Sequence, residues 1–229
     1  MPPVSLIRIG KAVPARPQSG FRLFAQRRNG FPNMLYGGLE FMKKITTADM
    51  VLCAMCAAIT CVLAPISVPI GPIPISLCTF AVMLAGVLLG AKLGFVSQLI
   101  YVLLGAVGLP VFAGYTAGLA KIAGVTGGYI VGYPFLALVS GFIYWKFGRS
   151  CADIKRKVLW MFVGMIAGTA VLYAIGTVWY CVLSGNGVIA ALGACVIPFL
   201  PGDFLKMVVV AIVSVPVEKA LNKVRADRG

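Results

Sequence analysis

Residues 158–183, VLWMFVGMIAGTAVLYAIGTVWYCVL, form a continuous apolar run without a single charged side chain. A helix of about 20 apolar residues crosses the roughly 30 Å hydrocarbon core of a lipid bilayer. The run meets that length, so it predicts a transmembrane helix.

The composition of the whole chain agrees with this prediction. Of its 229 residues, 60% are hydrophobic and 11% are charged, and the mean hydropathy is +0.98. Soluble domains carry about 25% charged residues, which excludes an ordinary soluble enzyme. The net charge of +14 would suggest nucleic acid as a partner of a soluble protein. Here the basic residues cluster between apolar runs, which is typical of the cytoplasmic loops of membrane proteins. We therefore expect the protein to lie in a lipid bilayer and not to bind nucleic acid.

Five further apolar runs raise the predicted number of transmembrane helices to six. The second and third runs are short, so we expect these helices to be tilted or partly buried. The predicted fold is an all-α integral membrane bundle. The six runs lie at about 48–66, 77–90, 93–108, 127–146, 158–183 and 199–217.

The distribution of lysine and arginine orients the bundle. If the end next to Lys43 and Lys44 is cytoplasmic, the outer connections contain Lys121 alone. Basic residues favour the cytoplasmic side, so we expect both termini to be cytoplasmic. The inner connections contain Lys92, Lys146, Arg149, residues 155–157 and the tail 219–228.

The first 41 residues differ from the rest of the chain. Residues 1–41 are basic, rich in proline and glycine, and lack the apolar segment of 7 to 15 residues that a secretory signal needs. We interpret them as a basic leader that is either disordered or translated from an upstream start. Residues 42–229 then form the six-helix membrane domain.

The sequence lacks the residues that most catalytic and metal-binding sites need. The chain has no histidine, so the usual metal sites and His-based triads lack their ligands. Cys53 and Cys56 form a C-x-x-C pair inside an apolar run, where free cysteine acts as a small hydrophobic residue. We therefore expect neither an enzyme nor a metal or cofactor site.

Three charges remain once the topology is explained. Lys121 lies in an outer glycine-rich segment, and Asp203 and Lys206 lie three residues apart at the outer end of the last run. Residues at this spacing share a helix face, and ionisable groups within a membrane often mark functional sites. Two cations and one anion favour a ligand with one carboxylate. The alternative is an ion pair that only stabilises the helix end.

Residues around these charges suit a small apolar ligand. Aromatic and hydroxyl side chains and glycines accumulate in the outer segment, where glycine allows a close backbone approach. We interpret Trp179 and Tyr180 instead as membrane-interface residues. The candidate ligand-binding residues near the charges are Gly114, Tyr115, Thr116 and Tyr129.

Four sequence motifs resemble those of the BioY family, the biotin-binding subunits of energy-coupling-factor (ECF) transporters. The resemblance extends from about residue 48 to the C-terminus, and the order and spacing of the motifs make it specific. The motifs are PIPISLCTFAVMLAGVLLGAKLG (72–94), LLGAVGLPVFAGYTAG (103–118), AGVTGGYIVGY (123–133) and FLPGDFLK (199–206).

The resemblance implies a six-helix protein that captures biotin near the outer surface for uptake across the cytoplasmic membrane. It implies a transmembrane coupling protein and two ATPases as partners. The chain has no P-loop motif of its own, so ATP coupling would come from those subunits. Ala54 and Ala58 form a small-x-x-x-small pair that resembles the family's docking face and permits close helix packing.

The resemblance also implies roles for individual residues. The family's Pro-Gly-Asp-x-x-Lys motif matches residues 201–206, which implies that Asp203 and Lys206 contact biotin. We include Cys78 among the predicted ligand-binding residues. It stands at a position where the family often has glutamine. Tyr115 replaces a common glycine and Val125 a common proline. Lys121 inherits no role, and its assignment rests on charge.

The expected mechanism is binding without chemistry. Asp203 would accept a hydrogen bond from a ureido N–H of biotin, and Lys206 or Lys121 would pair with the carboxylate. Two alternatives remain: the same architecture could capture a different vitamin or small carboxylate, or the chain could be a structural membrane subunit.

Overall fold

The computed structural model describes residues 46–68, 73–185 and 187–226. The predicted leader lies outside these ranges. Four of the described helices are long and apolar enough to cross a membrane, and a shorter apolar helix precedes them. The prediction of an all-α membrane protein is therefore confirmed.

The described elements follow the predicted apolar runs, with short additional helices in two of the connections between them. A π-helical segment, Tyr144–Gly148, continues the fourth helix. Strands β1 and β2 are antiparallel, with Ser67 opposite Ser76. In chain order the elements are α1 (Thr47–Leu63), β1 (Ser67–Val68), β2 (Ile75–Ser76), α2 (Cys78–Val107), α3 (Leu119–Ala123), α4 (Gly127–Ile143), α5 (Ile154–Ser184), α6 (Val188–Cys195) and α7 (Leu200–Ala226).

Helix α1 begins at a capping box and packs on α2 through one face. The Thr46 hydroxyl accepts a hydrogen bond from the Asp49 backbone N–H, and the Asp49 carboxylate accepts one from the Thr46 backbone N–H. These bonds satisfy donors that a helix start otherwise leaves open. The opposite face of α1, including Ala54 and Ala58, is exposed. The buried residues of α1 are Cys53, Cys56, Ala57 and Thr60.

Helix α2 reverses direction at Gly90. This residue has φ 81° and ψ −176°, far from helical values. A Cβ atom on Gly94 would lie 3.2 Å from the Gly86 Cα, and the Cys78 Sγ lies 3.8 Å from the Tyr101 hydroxyl. In a straight helix residues 23 positions apart would be separated by about 35 Å. Helix α2 is therefore a hairpin of two antiparallel arms.

The hairpin agrees with the two separate short runs that the sequence predicts here. The predicted runs 77–90 and 93–108 are the two arms of a single element, joined at one glycine rather than by a short loop. The arms, residues 78–89 and 91–107, are about 18 and 25 Å long at 1.5 Å per residue. Both arms are shorter than the hydrocarbon core. The open backbone groups at their ends must therefore be shielded from lipid by neighbouring parts of the protein.

Helix α4 packs between α2 and α5 through small residues. A Cβ atom on Gly141 would lie 2.6 Å from the Gly90 carbonyl carbon, and one on Gly164 would lie 2.8 Å from the Ser140 carbonyl oxygen. In a membrane no hydrophobic force drives helices together, so their association depends on packing. Small residues allow this packing because they let the helix backbones approach closely. The three elements therefore form the tightly packed centre of the protein.

The connection between α2 and α3 is irregular but anchored. The Phe112 ring packs edge-on against Tyr101, with ring centroids 5.8 Å apart, and occupies the space beside Gly105. The Gly114 backbone N–H donates to the Pro65 carbonyl oxygen at 3.1 Å. This connection is thus held by protein contacts on both sides, as irregular backbone at membrane depth requires.

Helix α7 carries buried polar groups along one face. Its buried residues recur at heptad-like spacing, which directs one face into the bundle. Asp203 lies at the N-terminal end of this face and Glu218 near the C-terminal end. The buried residues are Asp203, Met207, Val210, Ala211, Ser214 and Glu218.

We predict that Gly90→Ala destabilises the protein. An alanine at positive φ is strained by about 1–3 kcal/mol, and its Cβ would lie 2.7 Å from the Trp145 ring. The apparent melting temperature of the purified protein should fall by several degrees. Gly193→Ala is the matched control, because a Cβ there has no neighbour within 4 Å. Equal melting temperatures for the two variants would show that the turn does not require glycine.

Candidate functional site

The Asp203 carboxylate is the centre of a buried hydrogen-bond network. Asp203 is 3% exposed. Its Oδ1 atom accepts hydrogen bonds from Lys206 Nζ at 2.9 Å and from the Thr79 hydroxyl at 3.0 Å. Its Oδ2 atom accepts from the Tyr173 hydroxyl at 2.6 Å. A buried charge is tolerated when it is paired and hydrogen-bonded, and Asp203 meets both conditions.

The network joins three separate helices. Lys206 Nζ also donates to the Thr79 hydroxyl at 2.9 Å. Thr79 lies in the first turn of α2, Tyr173 lies in α5, and Asp203 and Lys206 lie in the first turns of α7. The sequence prediction that Asp203 and Lys206 share a helix face is confirmed by their 2.9 Å ion pair. The pair itself is electrically neutral.

A cavity of about 330 Å³, including the part open to solvent, adjoins this network. We call it the acidic-network lobe. Its walls are largely apolar and aromatic, with the polar groups of the network at one side. The lining residues are Ile73, Pro74, Ser76, Thr79, Tyr129, Tyr133, Leu172, Tyr173, Phe199, Asp203 and Lys206.

A second cavity of about 380 Å³, including its open part, lies beside the first. We call it the Lys121 lobe. Five residues line both lobes, so the two cavities share a wall and adjoin. The residues common to both are Ile73, Pro74, Ser76, Tyr129 and Tyr133, and those of the Lys121 lobe alone are Ala64, Cys78, Tyr101, Ala113, Lys121, Thr126 and Ile130.

The electrostatics of the two lobes differ. Lys206 is neutralised by Asp203, whereas no carboxylate of the described residues lies within 4 Å of the Lys121 ammonium. The Lys121 lobe therefore carries a positive charge that is not balanced locally. A ligand anion entering that lobe would be favoured.

The structure brings most of the predicted ligand-binding residues together. Tyr129 lines both lobes, and its hydroxyl donates to the Cys195 carbonyl oxygen at 3.2 Å. Cys78 lines the Lys121 lobe beside Tyr101. Cys78 and Tyr129 converge with the charged groups, although they come from the separate helices α2 and α4.

Three predicted residues lie away from the cavity walls. Gly114, Tyr115 and Thr116 line neither lobe. Tyr115 is 70% exposed and has a positive φ of 58°. The Thr116 hydroxyl donates to the Ala113 carbonyl oxygen at 2.9 Å. Their role in ligand binding stays a prediction.

Sequence reasoning missed the two neutral members of the network. Thr79 and Tyr173 lie 124 and 30 residues from Asp203 in the sequence. Tyr173 is a signal that could have been noticed, because it places a hydroxyl in the middle of a long apolar run. Thr79 directly follows the motif residue Cys78 but gives no signal by itself.

Trp179, interpreted from sequence as a membrane-interface residue, has a local packing role. Its indole N–H donates to the Gly124 carbonyl oxygen at 3.1 Å, and the side chain fills the space beside Gly128. Trp179 therefore holds the start of α4, which positions Tyr129 at the cavity.

Comparisons with known proteins agree with this geometry. The family model of the BioY family matches residues 41–223. A probable biotin transporter BioY from Pyrococcus horikoshii is 41% identical over 72% of this chain and 93% of its own length. The biotin transporter BioY of Rhizobium etli is 38% identical over 73% of this chain and 91% of its own.

A solved structure is also similar. It is a crystal structure of the S-component for biotin from an ECF-type ABC transporter, with a TM-score of 0.67 and 26% sequence identity. The similarity covers 75% of this chain and 91% of that chain. The matched family model, the curated relatives and the solved fold lead to one assignment: this chain belongs to the BioY family.

Proposed function

We propose that this chain is a biotin-binding S-component of an ECF-type transporter, a multi-pass membrane protein and not an enzyme. Membership in the family and the names of its relatives support this function. The observation that carries it is the two-lobed cavity, with a neutral polar network in one lobe and the Lys121 charge in the other.

The acidic-network lobe is suited to the ureido ring of biotin. Each carboxylate oxygen offers two lone-pair sites. Asp203 Oδ2 accepts one described hydrogen bond, from Tyr173, which leaves a site for a ureido N–H. Lys206 has three donors and uses two of them, on Asp203 and Thr79. The third is available for the ureido oxygen.

The Lys121 lobe is suited to the carboxylate of biotin. The charge of Lys206 is already compensated by Asp203, whereas Lys121 has no such partner among the described residues. We therefore assign the carboxylate to Lys121 and the ureido group to the network. The apolar walls shared by the lobes, including Tyr129 and Tyr133, would contact the ring and the aliphatic chain.

The cavity offers binding without reaction. It supplies hydrogen bonds and apolar contacts for a ligand, and the chain carries no ATP-binding motif. Uptake then needs a transmembrane coupling protein and two ATPases, whose ATP-driven movement reorients the loaded subunit.

The topology belongs to the same proposal. Six membrane crossings, with both termini cytoplasmic, follow if each arm of α2 crosses once. The hairpin at Gly90 supports this count, because it returns the chain to the side from which it came. In this proposal residues 42–229 form the transport domain, and residues 1–41 are assigned to the leader.

Helix α1 provides the proposed docking face for the coupling protein. Ala54 and Ala58 are exposed, and they are surrounded by exposed apolar side chains such as Met55 and Val62. A face of small residues lets a partner helix approach closely. The face lies opposite to the residues that pack on α2.

We predict that Asp203→Asn or Lys206→Ala weakens biotin binding about tenfold to a hundredfold. Each change removes a hydrogen bond to a charged group, which is worth about 1.5–3 kcal/mol. Titration of labelled biotin onto purified protein measures the effect. Lys155→Ala, an exposed cation in the first turn of α5, is the control and should bind normally.

Two results would overturn this assignment. Normal biotin affinity in both folded variants would make the Asp203–Lys206 pair a structural ion pair. Displacement of labelled biotin from the wild type by excess thiamine or riboflavin would favour a different vitamin as the substrate.

The Lys121 assignment has its own test with two ligands. Lys121→Ala should bind biotin about tenfold more weakly, because a charge-assisted contact is lost. It should bind biotin amide, which lacks the carboxylate charge, as the wild type does. If Lys121→Ala binds biotin normally while Lys206→Ala does not, the two-lysine site is wrong and the family assignment stands.

The docking face predicts a separation of assembly from ligand binding. The double variant Ala54→Leu and Ala58→Leu should lose co-purification with the coupling protein, because larger side chains prevent close helix packing. Its biotin affinity should remain normal. Ala170→Leu, at an exposed alanine of α5, is the matched control. Loss of assembly in the control alone would move the interface to α5.

A further inference from the structure

A second polar cluster lies at the end of the bundle opposite the cavity. Glu218 is buried. It lies 15 residues after Asp203, which corresponds to about 22 Å along α7. Its Oε2 atom accepts a 2.6 Å hydrogen bond from the Tyr144 hydroxyl and pairs with Lys157 Nζ at 2.9 Å. Its Oε1 atom lies 3.9 Å from Arg149 Nε. The proposed function uses none of these groups.

The cluster contains more positive than negative charge. One carboxylate, Glu218, lies beside two cations, Arg149 and Lys157. Lys157 makes the close ion pair, whereas the 3.9 Å separation to Arg149 exceeds hydrogen-bond distance. The guanidinium of Arg149 donates no hydrogen bond to any side chain or carbonyl of residues 46–68, 73–185 or 187–226. Its five N–H donors therefore remain to be satisfied.

The Arg149 side chain is nevertheless held in position. The guanidinium carbon lies 3.8 Å from the centre of the Trp145 ring, a stacking arrangement that favours arginine over lysine. The indole N–H donates to the Val87 carbonyl oxygen at 2.9 Å, and the ring fills the space beside Gly90. A fixed aromatic surface thus presents a planar cation that is 24% exposed.

The surroundings combine positive charge with exposed apolar rings. Lys146 Nζ lies 5.3 Å from the centre of the Phe142 ring and 5.4 Å from that of Phe147. Both rings are more than 40% exposed. Residues 146–157 contain five cations and one carboxylate, Asp153. Residues 146–157 and Glu218 together carry three net positive charges.

The geometry points to a binding site at Arg149 for the phosphate of an anionic phospholipid such as phosphatidylglycerol. A planar guanidinium matches two phosphate oxygens, and basic pockets between transmembrane helices bind anionic headgroups on the cytoplasmic side. The exposed rings of Phe142 and Phe147 suit acyl chains, which favours a lipid over an acidic protein surface. The inference rests on the proposed topology, which places this end at the cytoplasmic leaflet.

Native mass spectrometry of the full chain, purified in detergent with added lipid, tests the site. Wild-type protein should retain phosphatidylglycerol in preference to phosphatidylcholine, and inorganic phosphate should not replace the lipid. Arg149→Gln should reduce phosphatidylglycerol retention about five- to tenfold, in line with the loss of one cation near a lipid phosphate. Lys155→Gln, which removes a more exposed charge from the same basic segment, should reduce it less than twofold.

Equal losses in Arg149→Gln and Lys155→Gln would overturn the site, because only the overall positive charge would then matter. Displacement of the lipid by inorganic phosphate would also overturn the site. A third contradicting result is normal lipid retention in Arg149→Gln together with loss of co-purified transporter subunits. The last result would assign Arg149 to a protein contact.

Biotin binding separates this inference from the proposed function. Arg149→Gln should bind biotin normally, because Arg149 lies beside Glu218, at the end of α7 away from Asp203. If Arg149→Gln does not fold, Arg149→Lys keeps the charge but loses the planar stacking geometry. Arg149→Lys should retain less phosphatidylglycerol than either the wild type or Lys155→Gln, but it should not lose the lipid completely. Wild-type retention in Arg149→Lys would contradict a guanidinium-specific site.

Discussion

The arrangement of helices around the cavity depends on accommodating one carboxylate, Asp203, inside an apolar bundle. Transferring an isolated carboxylate out of water costs many kcal/mol, so Asp203 needs partners on every side. Lys206 supplies the compensating charge, and Thr79 and Tyr173 supply hydrogen bonds. These partners lie in three helices, so the requirement of one side chain fixes the relative positions of α2, α5 and α7. The cavity exists where these helices are held together but do not fill the space between them.

Glu218 meets the same constraint differently at the other end of α7. Asp203 is matched by one cation, whereas two cations lie beside Glu218. The Asp203 network is consequently neutral and suited to polar but uncharged ligand atoms. The Glu218 cluster has one more cation than carboxylate, which favours an anion. One helix thus carries two buried acids, and the charge is balanced around only one of them.

The sequence predicts the parts of this structure that depend on local patterns. Apolar runs located the helices, and the i, i+3 spacing of Asp203 and Lys206 predicted their contact, which the structure confirms. Contacts between distant segments were not predictable: Thr79 contributes to the site from 124 residues away. The separate runs 77–90 and 93–108 predicted the reversal between them, but the non-helical backbone conformation that places it at Gly90 gives no signal in the sequence pattern. Glu218 escaped notice because, in sequence, it directly precedes the basic tail.

The position of α1 constrains how a partner could distinguish a loaded subunit from an empty one. A ligand shifts a conformational equilibrium only through contacts that differ between the two states. The exposed face of α1 makes no contact with the polar network, yet the end of this helix reaches the cavity. Ala64, which caps α1, lines the Lys121 lobe, and the neighbouring Pro65 accepts the backbone hydrogen bond from Gly114. Any influence of the Lys121 lobe on the proposed docking face through these described contacts must therefore pass through the last turn of α1.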